Sequence, residues 1–309
     1  MRRPAPRRSL TAGRGAAVAV GGALALAAAV LSTTGVGAQG DARDHNVALA
    51  YEGFTRHPDG SYLLWFGYFN RNWDREFDVP VGPDNNIEPV GPDRGQPTHF
   101  FPRRNQFVFS VPVPADFGDG EVVWTLTTNE VTERAYGTLR HQYAVDDVVM
   151  SANFGAGGQT GFNPRLEGNQ PPEVRVEGER TRRARVGEPL TLSAIATDDG
   201  KPGRRAMSTA LVGQSHFVPN SATGLRLSWY HYRGPPTIEL DPPQTKVWED
   251  RRDGGNSPWS AGWQVPPIPP DNRWTVRATF PEPGTYVLRA LAHDGGLIDY
   301  EDVTIVVTP

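Results

Sequence analysis

The stretch FPEPGTYVLRALAHDGGLIDYEDVTIVV, Phe280–Val307, decides how the chain is read. Its first half alternates, with Tyr286, Leu288, Ala290 and Ala292 on one face and Val287, Arg289, Leu291 and His293 on the other. Period-two alternation of this length predicts a strand with one buried face. Pro283-Gly284 punctuates its start, and Asp294-Gly295-Gly296 ends it with residues that tolerate positive φ. Thr304–Val307 then returns as a β-branched run, so the stretch reads as a hairpin. A hairpin identifies a fold. It names no activity.

Composition agrees with a chain of strands and turns. The 309 residues suffice for two domains with real cores, and 34 glycines with 29 prolines argue against long helices. Ten percent aromatic residues favour a folded chain. The chain has no cysteine, which removes disulfides, thiolate metal sites and cysteine nucleophiles. At the N-terminus, Arg2, Arg3, Arg7, Arg8 and Arg14 precede the apolar run Ala16–Leu31 and the small pair Gly37-Ala38. That order predicts an export signal over residues 1–38, and hence a secreted or periplasmic protein with no membrane span after its removal. Cleavage there removes five arginines and no acid, moving the formal charge from −4 to about −9. Nucleic acid is a poor partner for so acidic a chain.

Residues 44–150 read as an all-β domain. Val47–Arg56 and Tyr62–Trp73 form a hairpin around Asp59-Gly60, followed by the loop-rich Val79–Pro102 and strands at Gln106–Val113 and Glu121–Thr128. Long loops often carry function, so 79–102 is a candidate surface. The Gly-, Asn- and Pro-rich 151–170 reads as a flexible linker. From 171 onward come strands near Val174, in LTLSAIATDDG where Leu190, Leu192, Ala194 and Ala196 face one way, over Leu225–Tyr232 and Trp274–Phe280, and then the closing hairpin.

Entry prolines at 171–172, Trp229 on the third strand, Pro283-Gly284-Thr285-Tyr286 and Asp294-Gly295 together resemble the immunoglobulin-like sandwiches of the polycystic-kidney-disease (PKD) and cadherin-like type. The resemblance covers 171–309 and implies an immunoglobulin-like β-sandwich with Trp229 in the core and Tyr286 as a corner tyrosine. The expected fold class is therefore all-β, two β-sandwich domains after an export signal. Two departures stand out. His231-Tyr232-Arg233-Gly234 replaces the acidic, glycine-rich turn the family carries after its tryptophan, and long insertions occupy 200–224 and 235–270.

Candidate sites follow from that topology. Asp198, Asp199 and Asp294 belong at one pole, with Asp299 near, and hard oxygen donors on adjacent loops suit Ca²⁺. Asp-Asp-Gly and Asp-Gly-Gly are also ordinary turn chemistry, so both readings are open. Trp248, Trp259 and Trp263, in a proline-rich segment, either plug the sandwich or form a binding face for a glycan or protein partner. The seven histidines show no metal-site spacing, and Gly213-Gln214-Ser215-His216 lacks the closing glycine of a nucleophile elbow. The expected function is a non-catalytic binding, adhesion or scaffold protein. The alternatives are a carbohydrate-binding module using loop aromatics, or a hydrolase whose site lies in the N-terminal domain.

Overall fold

Sixteen strands and one α-helix are seen in a computed structural model that describes residues 44–89, 91–158, 163–209 and 220–309. The expected export signal and the Gly213–His216 tetrad lie outside the described residues. In the N-terminal part run β1 (Val47–Arg56), β2 (Tyr62–Asn70), β3 (Phe77–Asp78), β4 (Asn85–Glu88), β5 (His99–Phe100), β6 (Arg103–Val113), β7 (Val122–Thr128) and β8 (Val131–Gly137). After α1 (Asp147–Phe154) come β9 (Glu173–Val176), β10 (Thr181–Arg185), β11 (Leu190–Thr197) and β12 (Arg226–Arg233). Four strands finish the chain: β13 (Glu239–Asp241), β14 (Arg273–Thr279), β15 (Gly284–His293) and β16 (Ile298–Thr308).

The closing hairpin is β15–β16, antiparallel from Gly284 opposite Val307 to His293 opposite Ile298. Its turn needs glycine. Gly295 has φ +109, and a Cβ there would stand 2.7 Å from the Thr223 backbone. The C-terminal sandwich stacks the sheet β10-β16-β15-β12 on β13-β14-β11-β9. This is an immunoglobulin-like order, with the first strand divided so that β9 pairs antiparallel with β11 and β10 runs parallel to β16. Trp229, Leu192, Val276, Phe280, Tyr286, Leu288 and Ile305 fill the core. The Tyr286 hydroxyl donates to the Glu282 carbonyl at 2.9 Å, closing the expected tyrosine corner.

The N-terminal sandwich is smaller. The sheets β1-β2-β6 and β4-β7-β8 enclose Leu64, Phe66, Phe100, Phe109, Val111, Trp124 and Leu126, and the short pair β3–β5 lies beside them. Trp124 donates its indole N–H to Asn85 Oδ1 at 3.0 Å, which lets a large aromatic be buried with its polar atom satisfied. A bulge in β6, where Phe66 faces Phe109 but Tyr68 faces Asn105, gives Phe107 a φ of +47. Phe107 thereby packs in a different cluster from its strand neighbours, with Phe154, Trp259 and Leu297.

That cluster takes in the start of the segment expected to be a flexible joint. Residues 151–154 are the end of α1, which Asp146 caps by accepting from Val149 N at 2.8 Å and Gly155 closes in the left-handed region. Met150, Ser151 and Phe154 are buried, and Phe154 bridges Phe107 of one sandwich and Leu297 of the other. The segment has apolar surface to bury after all. The two cores belong to one compact unit.

Candidate functional site

The outer face of β15 shows how the sandwiches meet. Alternation places Arg289 and His293 away from the immunoglobulin-like core, where solvent is expected, yet Arg289 is only 2% exposed and His293 is buried too. The N-terminal sandwich covers them. Arg289 donates Nε and Nη2 to the two oxygens of Asp302 at 2.7 and 2.8 Å, and Nη1 to the Val108 carbonyl at 2.5 Å. Its guanidinium also lies 3.6 Å from the Tyr232 ring centroid and 3.7 Å from that of Tyr300. Further along, Tyr232 Oη donates to the Gly95 carbonyl, and Arg233 pairs with both oxygens of Asp93 at 2.8 and 3.1 Å. The acceptors come from the loop-rich 79–102, the segment expected to be a functional surface.

At this seam lies a cleft of about 480 Å³ lined by Glu76, His99, Tyr230, His231, Lys246 and Trp248. Asp78 and His99 face each other in the β3–β5 register, and His99 Nδ1 stands 2.8 Å from Asp78 Oδ1. The other ring nitrogen, Nε2, is 3.2 Å from Glu76 Oε2. Burial disfavours a charge on His99, but the hydrogen bonds to Asp78 and Glu76 outweigh it and bring its pKa to about 9. His231, on β12 of the other sandwich, stacks on His99 with centroids 4.4 Å apart. It is 3% exposed, and neither ring nitrogen reaches hydrogen-bond geometry with a described residue. The Arg233 backbone is near enough to interact with the ring and favours its charged form, a weaker effect than the two that oppose it. Burial, and then the neighbouring His99 cation, push the His231 pKa down to about 4. At neutral pH the pair is one imidazolium and one neutral ring.

The expected site residues lie elsewhere. Asp294 is fully buried; its Oδ1 accepts from Gly296 N and Leu297 N at 2.5 and 2.7 Å, and its Oδ2 from Asn169 Nδ2 at 2.9 Å. Burial raises its pKa to about 6 against these donors, with the charge of Asp198 adding to the rise. Asp198 Oδ2 accepts from Gly200 N and Asp199 Oδ1 from Lys201 N, at 2.9 and 2.8 Å. Asp299 accepts from Val174 N and Tyr300 N, both at 2.9 Å. Asp198 interacts with both Asp199 and Asp294, and all four aspartates accept backbone N–H groups in turns or straps. Asn169 and Gln170, bonded to Asp294 and Asp199, tie the end of the 151–170 segment onto them.

The three tryptophans sit in separate surroundings. Trp248 and Trp259 are 5% and 6% exposed, Trp259 in the seam cluster and Trp248 under Lys246 Nζ at 4.7 Å. Trp263 is half-buried and donates to Asn256 Oδ1 at 3.2 Å. The 235–270 insertion folds around buried Asp250, which Lys246 and Arg252 pair at 2.7 and 2.9 Å, and it reaches the N-terminal sandwich through Arg252 and Asp74 at 2.6 Å. It plugs the seam.

Reading the sequence missed Glu76, Asp78, His99 and His231. A histidine pair drawn from two sandwiches has no local spacing to detect. One signal was present, the departure at His231-Tyr232-Arg233-Gly234, where the chain replaces turn chemistry with residues that engage the other sandwich.

No protein-family model matches the chain, and no curated protein matches it. Among solved structures, a crystal structure of the S-layer protein rSbsC is similar at 10% identity and a TM-score of 0.23, over 85% of this chain and 28% of that one. The D00-D0 domain of intimin is similar at 10% identity and a TM-score of 0.24, over 85% of this chain and all (100%) of that one. Titin domains z1z2 in complex with telethonin give 9% identity and a TM-score of 0.22, over 86% and 98%. This chain spans little more than a quarter of the S-layer protein. Overlaps this loose carry no argument, and the immunoglobulin-like assignment stands on strand order and the tyrosine corner.

Proposed function

We propose that this chain is a secreted or periplasmic, non-catalytic recognition or scaffold protein in which two β-sandwiches work as one rigid body. Arg289 carries the reading: a buried cation of one sandwich, held by its own Asp302, donates to a backbone carbonyl of the other. Loosely tethered domains do not bury such groups between them. The charged N-terminal run supports export, and no helix of the described residues is long and apolar enough to cross a membrane.

The hydrolase alternative asks for paired acids in a cleft of the N-terminal sandwich, and Glu76 and Asp78 are two such acids. Both are engaged by the same imidazole, at 3.2 and 2.8 Å, as its ion-pair partners. Calorimetry tests the rigid body. One transition, with equal calorimetric and van't Hoff enthalpies, is expected, and two resolved transitions refute it. Turnover of an ester, glycoside or peptide that disappears in His99→Gln would replace this reading with an enzymatic one.

A further inference from the structure

We propose that Asp78, His99 and His231 hold a divalent transition-metal ion of the zinc class, bound across the seam so that it ties the two sandwiches together. This goes beyond the scaffold reading and stands without it.

The geometry comes first. One candidate ligand atom from each residue lies within 4.8 Å of the other two. At zinc–ligand bonds of about 2.0–2.2 Å, tetrahedral ligands stand about 3.4 Å apart, so the set closes once the two imidazoles rotate out of their face-to-face contact to aim one nitrogen each at the ion. Backbone pairing places all three residues. Asp78 and His99 are opposite one another on β3 and β5, and His231 lies on β12 beside Leu288 of β15. Ligands on strands hold their positions better than ligands on loops.

The chemistry selects the ion. Two imidazole nitrogens and one carboxylate oxygen suit Zn²⁺ and its first-row neighbours, whereas Ca²⁺ and Mg²⁺ prefer oxygen throughout. His231 supplies an independent observation. It is 97% buried (3% exposed), it has two polar ring atoms, and neither has a hydrogen-bond partner among the described residues. A buried imidazole in that state is costly unless something binds it. Glu76 completes the arrangement. With the ion on Nδ1 of His99 beside Asp78, Glu76 accepts from Nε2–H, the carboxylate partner that orients metal-bound histidines. Two carboxylates around one ring favour a cation at this point, either a proton on the ring or a metal ion in its place. The cleft of about 480 Å³ provides the route in.

The test titrates Zn²⁺ into the purified protein after treatment with a chelator, reading stoichiometry and affinity by calorimetry and melting temperature in parallel. One ion per chain, a raised melting temperature, and at least a tenfold loss of affinity in both His231→Gln and Asp78→Asn are expected. Ca²⁺ should leave the melting temperature unchanged. Circular dichroism checks the folding of each variant. If His231→Gln does not fold, Asp78→Asn, at the exposed member of the set, carries the test, with X-ray absorption at the zinc edge of the wild type required to show imidazole ligands. Absence of saturable binding overturns the proposal. So does binding that both variants retain, which would place the ion on exposed histidines such as His45, His57 or His141.

Discussion

The Asp294 pole and the His99–His231 seam are both buried polar clusters, and they are satisfied in opposite ways. At the pole, the carboxylate of Asp294 meets N–H groups from Gly296 and Leu297, two and three residues onward, with Asn169 on its other oxygen. At the seam, His99 is held by acids of its own sandwich, and His231 arrives from the other with neither ring nitrogen in hydrogen-bond geometry with a described residue. Local turn chemistry completes the Asp294 carboxylate, while Asn169 Oδ1 and Asp198 Oδ1 around it have no hydrogen-bond partner among the described residues. A cluster assembled by tertiary packing has no such guarantee, and its unsatisfied atoms are where a ligand can contribute.

The largest effect should come from the packing that holds the seam. Trp259→Ala empties a buried site beside Phe107, Phe154 and Leu297, and a loss of about 3–5 kcal/mol in urea unfolding is expected. A loss under about 1 kcal/mol, with impaired glycan binding, would return Trp259 to the role of a binding-face aromatic. Arg289→Ala should cost about 3 kcal/mol by stranding the Val108 carbonyl and leaving Asp302 without its partner. In calorimetry it should also begin to separate the two sandwiches into distinct transitions. A single undisturbed transition would mean that α1 and the 235–270 plug hold the seam without it.

The pole is sharpened by pH. The pKa of Asp294 is about 6 in the folded protein against an ordinary 3.8, so between those values the native state holds a proton that the unfolded chain has released. Its contribution to stability is therefore fully present below about pH 4 and is lost as pH rises through 6. Asp294→Asn removes that slope. The stability of the variant minus that of wild type should rise by roughly 3 kcal/mol across the window and stay level above it. The new amide can be accommodated because Asn169 Oδ1 has no partner among the described residues and can accept from it after an amide flip. A flat difference would show that the carboxylate is not penalised by burial. Stabilisation by Ca²⁺ that Asp294→Ala abolishes would establish the calcium reading of the pole.

How much of this was legible follows the same division. Tyr286, Trp229 and the β15–β16 turn could be read because alternation and turn residues are local, and the expected tyrosine corner is present. The strands of the N-terminal sandwich were largely legible too, with β1 running over Val47–Arg56 as read. What escaped was decided between the sandwiches. Strand β10, TRRAR, carries no apolar alternation and is held in place by its parallel pairing with β16. The start of the 151–170 segment looked like a joint because Phe154 gains its partners only when both sandwiches are present. Arg289 looked like a solvent-facing residue for the same reason.

The smallest effect on stability should belong to the residue at the centre of the comparison. His231→Phe keeps an aromatic ring against His99 and Tyr286, whose centroids lie 4.4 and 6.1 Å from that of His231. It removes two polar atoms that bond to nothing described. Replacing a satisfied buried polar group by an apolar one forfeits its hydrogen bonds, whereas here the loss is only that of fit around a larger ring. The urea midpoint should therefore move by less than about 1 kcal/mol equivalent at unchanged slope when metal is absent. In zinc the wild type should gain stability and the variant should not, so the two curves part only when the ion is added. Destabilisation of about 3 kcal/mol without metal would show that His231 makes its stabilising contacts within the protein itself, and the two clusters would then differ in location alone.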